Sequence, residues 1–163
     1  MTGESVPVAK PSKELPSESS VQQTVDETVK RIKVPASVHS DVVYSHTLPG
    51  ASESGGIVPY AGGQLSASGG TIFLDAAVVD PGLIGATELA KLPLAARVEV
   101  ILAHEVAEAS IVKAAGGIAS AETHFAAVKA AQFTTLEISA EARSYLKAWS
   151  DLSPKAGKGL APH

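Results

Sequence analysis

The chain has 163 residues, a net charge of −4, 18% charged and only 4% aromatic residues, and no cysteine. That length suits one domain with a core of its own, and the absence of thiols excludes disulfides and thiolate metal sites, so any metal must be held by nitrogen and oxygen. The charge pattern offers neither a basic patch for nucleic acid nor a polybasic membrane anchor, no apolar run approaches the length of a membrane span, and the first residues lack the apolar core of a signal peptide. The expectation is a cytoplasmic protein.

Residues 1–20, rich in proline and serine and without periodicity, read as a disordered tail. Val21, Val25 and Val29, with Ile32 beyond and Ser20 as a cap, give the i, i+4, i+8 spacing of a short amphipathic helix that Pro35 ends. Extended segments are expected near residues 41–46, 56–60 and 71–74, separated by Pro49-Gly50, Ala61-Gly62-Gly63 and Ser68-Gly69-Gly70 in the manner of a meander. Asp80-Pro81-Gly82 reads as a turn and residues 84–91 as a short helix. A long helix from Leu94 to Ala115 stops at Gly116-Gly117. An Ala-rich helix starts at Ala121 with Ser120 as its cap, and either breaks at residues 133–138 or runs to Trp149. Residues 153–163 form a second Pro/Gly-rich tail. The expected fold is therefore α+β: one domain over residues 21–152, with a small three-stranded, mainly antiparallel sheet packed on the long helix and the Ala-rich helix after it.

The long helix carries His104-Glu105-Val106-Ala107-Glu108, and His124 follows on the next helix. His104 and Glu108 are i, i+4, about 40° apart and roughly 6 Å along the axis, so both side chains can reach one ion. Val100, Ile101, Ile111 and Val112 flank that line and place the pair inside the apolar stripe, with Glu99, Ser110 and Lys113 pointing away. A carboxylate there costs several kcal/mol unless it is neutralised, paired or ligated. Arg97, about two turns before His104 and nearly in line with the pair, is the candidate partner without a metal. The short link after Gly116-Gly117 turns the chain back and brings His124, on an Ala-lined face, beside His104 and Glu108. Two imidazoles and a carboxylate leave one position open for water, the ligand count of a catalytic zinc site, with Glu105, about 100° round, placed as a general base.

The progression from Gly70-Thr71-Ile72-Phe73-Leu74-Asp75 to Val100-Ile101-Leu102-Ala103-His104-Glu105 resembles the strand and active-site helix of the zincin-like, gluzincin-type metallopeptidases. It is more similar to a variant in small phage and bacterial proteins, whose helix reads His-Glu-x-x-Glu before a glycine and a His-bearing Ala-rich helix. The resemblance covers residues 71–132 and implies an edge strand before the helix, His104, Glu108 and His124 as ligands of one zinc ion, and Glu105 as general base. It implies a hydrolase acting on peptide or protein substrates through a metal-bound water. Glu108 stands where the common family has its second histidine.

The competing reading is a non-enzymatic accessory or adaptor protein of the phage or bacterial kind, whose metal or polar cluster only fixes the helix pair. A groove beside the strand at residues 71–74, able to take an extended peptide, separates the two. His39 and His46 read as loop or strand residues. Glu137 and Glu141 are expected to face solvent or to pair with Arg143 and Lys147, not to bind metal. A di-iron carboxylate bundle would want two Glu-x-x-His pairs and two further helical glutamates, and the chain has no such pair.

Overall fold

The computed structural model describes residues 15–34, 41–46, 63–65, 71–84, 86–116 and 121–152. Helices α1 (Glu18–Ile32), α2 (Ala76–Val79), α3 (Leu94–Ala114), α4 (Ala121–Ala131) and α5 (Ala140–Leu152) make up most of them, with strands β1 (Asp41–Tyr44), β2 (Gly63–Leu65) and β3 (Thr71–Leu74). A 3-10 turn at Pro81–Ile84 covers the expected turn, and a second at Leu89–Lys91 stands at the end of the expected short helix. Among the described residues no helix is long and apolar enough to cross a membrane.

The expected α+β body with a mainly antiparallel sheet is overturned on both counts. Helices dominate, and the longest strand ladder is parallel: β1 pairs β3 from Asp41↔Thr71 to Tyr44↔Leu74. Only the three-residue β2 runs antiparallel to β3, in the order β1-β3-β2. The glycine-rich segments suggested successive hairpins, but a parallel pair cannot be closed by a hairpin, so the chain between β1 and β3 must cross over. Strand β2 lies at Gly63–Leu65, where the sequence suggested a turn, and the strand expected at residues 56–60 lies outside the described residues. β3 is thus the central strand and not an edge.

The outer edge of β1 is closed by a side chain. The Gln22 amide donates to the Val42 carbonyl at 3.0 Å and accepts from the Tyr44 N–H at 2.7 Å, satisfying the two backbone groups a further strand would use. Helix α1 begins at Glu18, capped by Ser17, so residues 18–20 belong to the fold and not to the expected tail. It buries Val21, Val25 and Ile32 and ends at Lys33 in the left-handed region (φ 61°).

Helix α3 is the axis of the molecule. It packs against α1, α2, α4, α5 and β2, and its residues 98–105 are all buried. Gly116, at φ 88°, supplies the left-handed residue that stops it, as the sequence anticipated. Burial on all sides contradicts the outward placement of Glu99. That carboxylate is 2% exposed and takes Arg31 Nη1 at 2.6 Å on one oxygen and the Ser139 N–H and hydroxyl at 2.9 and 2.8 Å on the other. Burial opposes the ionised form, but these donors outweigh it and hold the Glu99 carboxyl below its ordinary range. Ser139 also accepts from the Ala142 N–H as the cap of α5, so one carboxylate ties α1, α3 and α5 together.

The chain does break between α4 and α5. Arg143 holds that corner by donating to the carbonyls of Gln132, Thr134 and Leu136. Arg143 is therefore not a partner of Glu137, which pairs with Lys33 at 3.0 Å, while Lys147 pairs with Asp151 at 3.1 Å.

Two stability predictions follow from these carboxylates. Glu99→Ala leaves Ser139 and Arg31 without their acceptor and should cost about 3 kcal/mol in urea unfolding, whereas Lys147→Ala, at an exposed pair, should cost under about 0.5 kcal/mol. Asp75 caps α2 through the Ala77 N–H at 3.0 Å, yet burial outweighs that bond and pushes its carboxyl from 3.8 up to about 6. A carboxyl that gains proton affinity on folding contributes most below its unfolded value and loses that contribution as pH rises through 4 to 6. Asp75→Asn keeps the cap and removes the charge. Its stability relative to wild type should rise from near zero at pH 4 to about 1–2 kcal/mol at pH 7, the full shift being reduced by partial exposure. A flat difference across that range would show that Asp75 titrates normally.

Candidate metal centre

His104, Glu105 and Glu108 project from the middle of α3, and His124 from the first turn of α4. Packing of α3 on α4 brings the two imidazoles together, ring centroids 5.0 Å apart and planes at 70°. His104 Nε2 lies 3.5 Å from Glu108 Oε1. One ligand atom from each of His104, Glu108 and His124 falls within 4.8 Å of the others. The three residues expected to converge do converge.

The spacing has a chemical meaning. A charge-assisted hydrogen bond closes to about 2.7–2.9 Å. Two nitrogen or oxygen ligands on a tetrahedral ion, each at about 2.0–2.1 Å, stand roughly 3.4 Å apart. The His104–Glu108 separation of 3.5 Å matches the second spacing and exceeds the first. With no separation above 4.8 Å, closing all three ligands on one ion takes side-chain shifts of at most roughly 1.5 Å.

The electrostatic setting is dry. His104 is 3% exposed, Glu105 5% and His124 8%, while the Glu108 side chain keeps 18%. Burial pushes the Glu105 carboxyl from 4.5 up to about 7, with His104 opposing and Glu108 reinforcing the rise. Two buried atoms here have no hydrogen-bond partner: His104 Nδ1 and Glu105 Oε1. Buried polar atoms in folded proteins are paired in the great majority, so a cluster satisfied wholly by its own members fits these two poorly.

Arg97 does not neutralise the cluster. Its guanidinium donates to the carbonyls of Leu92, Val79, Ala90 and Val78 at 2.7–3.3 Å, collecting the ends of α2 and of the second 3-10 turn. Its long side chain therefore points toward the start of α3, away from His104. His46 also stands apart: its ring meets the Pro16 carbonyl at 3.1 Å and its backbone N–H donates to Glu18 at 2.8 Å, joining the end of β1 to the start of α1. His39 and the expected cap Ser120 lie outside the described residues.

Sequence reasoning missed Trp149. From α5 this fully buried indole lies against the His104 imidazole, centroids 5.0 Å apart and planes at 35°, and Tyr145 one turn earlier lies edge-on to it at 6.2 Å. The available signal was the spacing of Ala142, Tyr145, Leu146 and Trp149, which marks the buried face of α5 but not what it faces.

Searches of protein-family models, curated proteins and solved structures find no match to this chain. The case for the site rests on its own geometry.

A divalent ion that binds only the folded chain stabilises it by mass action, by about 2.7 kcal/mol at a hundredfold excess over Kd. Zinc should therefore raise the unfolding temperature of wild type, a chelator should reverse the gain, and His124→Ala should abolish it. The gain should shrink as pH falls, because protons compete with the ion for its ligands. An unfolding temperature unmoved by zinc at pH 7.5 would mark the cluster as purely structural.

Proposed function

We propose that this chain binds one divalent transition-metal ion through His104, Glu108 and His124, and that it is a small metal-dependent hydrolase with Glu105 as its general base. The observation that carries the reading is the convergence of three ligand atoms within 4.8 Å around buried groups whose own hydrogen bonding is incomplete. Two imidazoles and one carboxylate suit zinc, which takes such ligands in a tetrahedral site and leaves a fourth position open.

A bound ion would supply Lewis acidity toward water and toward a substrate carbonyl. The chain supplies the rest. Glu105 is one residue from His104 and about 100° round the helix, off the line of the ligands but on the same turn. Its carboxyl, raised to about 7 by burial, is matched to taking a proton from water near neutral pH and passing it to a leaving group. Glu108, the most exposed of the four, marks the side from which substrate reaches the site. In this reading the substrate is a peptide or protein and the protein works in the cytoplasm.

The arrangement does not include the strand groove expected of a peptidase. Both sides of β3 are paired, and Gln22 occupies the outer edge of β1. An extended peptide has no place beside residues 71–74, so substrate would be held by the surface around Glu108. A second reading, an accessory protein whose ion only locks α3 to α4, draws on the enclosure of His104 by Trp149 and His124.

One experiment separates the two readings. Zinc content is measured by elemental analysis, and hydrolysis by a broad library of peptide substrates, for wild type, Glu105→Gln and His104→Ala. The enzyme reading expects one zinc per chain in wild type and Glu105→Gln, turnover lowered by two or more orders of magnitude in Glu105→Gln, and loss of metal in His104→Ala. Stoichiometric zinc with no cleavage would leave the accessory reading. No zinc in any form would end both metal readings.

A further inference from the structure

Metal-binding histidines ordinarily donate their second ring nitrogen to a carboxylate or carbonyl, which fixes the ring orientation. His104 departs from that arrangement. Its Nε2 faces Glu108 at 3.5 Å, which makes Nδ1 the second nitrogen, and Nδ1 is buried without a hydrogen-bond partner. What contacts the ring instead is aromatic surface: Trp149 at 5.0 Å and 35° and His124 at 5.0 Å and 70°. The indole is fully buried and belongs to α5, which packs on both α3 and α4.

We propose that Trp149 is a positioning residue of the metal centre, fixing the His104 imidazole by packing where a hydrogen bond would otherwise fix it. The inference rests on His104, Glu108 and His124 being the ligands. The torsion about the His104 Cβ–Cγ bond is broad and roughly two-fold in intrinsic preference, so it needs an external constraint. A ring turned about that bond swings Nε2 off the position 3.5 Å from Glu108 and out of reach of an ion shared with His124. A flat, immobile neighbour prevents that rotation. A flexible side chain of similar bulk fills the space without preventing it.

The test uses the full chain, with zinc affinity from chelator competition and the visible spectrum of the cobalt(II) form as a report of ligand geometry. Losing an orienting partner of a metal ligand typically costs ten- to a hundredfold in affinity. Trp149→Met should weaken zinc binding at least tenfold and alter the cobalt spectrum, while Trp149→Phe, which keeps a flat ring, should stay within about threefold and keep the wild-type spectrum. Val25→Ala, a core truncation on α1, controls for destabilisation alone: it should lower the unfolding temperature and leave affinity and spectrum unchanged. Trp149 is also the only tryptophan, so cobalt(II) bound through His104 should quench the emission of the unmutated protein in stoichiometric proportion, a result that needs no variant to fold. Wild-type affinity and spectrum in Trp149→Met, or unquenched emission with cobalt stoichiometrically bound, would overturn the positioning role while leaving the metal site standing. Absence of any zinc or cobalt binding by wild type would overturn the metal site itself, and this inference with it.

Discussion

Burying residues 98–105 of α3 on every side obliges each polar group there to find a partner inside the protein. Glu99 meets that constraint completely: one oxygen takes a guanidinium, the other takes two donors from Ser139, and the same contacts lock three helices together. Six residues on, Glu105 is buried as deeply but keeps an oxygen without a partner, and the neighbouring His104 keeps a nitrogen in the same state. One helix thus carries a satisfied carboxylate that organises the fold and, beyond it, a polar group that the fold leaves incomplete. That contrast, more than the spelling of the motif, marks the place along α3 where a bound group could complete what the fold leaves open.

The sequence disclosed what local periodicity and stop signals encode. Helix α3 ends where Gly116 was expected to end it, α4 begins at Ala121, and the turn between them delivers His124 to His104. What it hid depends on distant partners. Glu99 looks outward on a helical wheel drawn with one apolar stripe, but α3 has no solvated face along its first half, because α1 and the start of α5 close over it. Arg97 looks like the partner of the His/Glu pair by angle alone. A long side chain leaning toward the helix N-terminus reaches the carbonyls of α2 instead. Trp149 lies 45 residues from His104 in the chain, and no spacing rule connects them. The parallel pairing of β1 with β3 was equally hidden, since glycine-rich connections mark turns without saying which strands they join.

That pairing bears directly on chemistry. The sequence resemblance placed an edge strand beside the active-site helix, a position from which main-chain hydrogen bonds could hold a peptide. With β3 enclosed by β1 and β2, and the Gln22 amide acting as a surrogate strand on β1, affinity from backbone pairing is not available at either place. Substrate recognition, in the hydrolase reading, would fall to side chains along the exposed second half of α3. There Ser110 and Lys113 to Gly116 face solvent beyond Glu108.

A divalent ion held by two neutral imidazoles and the Glu108 carboxylate leaves one net positive charge in a dry setting, where an uncompensated ion is costly. Glu105, which interacts electrostatically with both His104 and Glu108, is able to supply the missing negative charge. Without an ion, the same carboxylate is held toward its neutral form by burial and by the proximity of Glu108. A second carboxyl that is protonated when the site is empty and ionised when it is filled lowers the net charge in both states: Glu108 alone is charged in the first, and the two carboxylates balance the ion in the second. An ion with three protein ligands and no further anion nearby would keep its excess charge, so charge balance gives Glu105 a part at the site in either reading, enzyme or accessory.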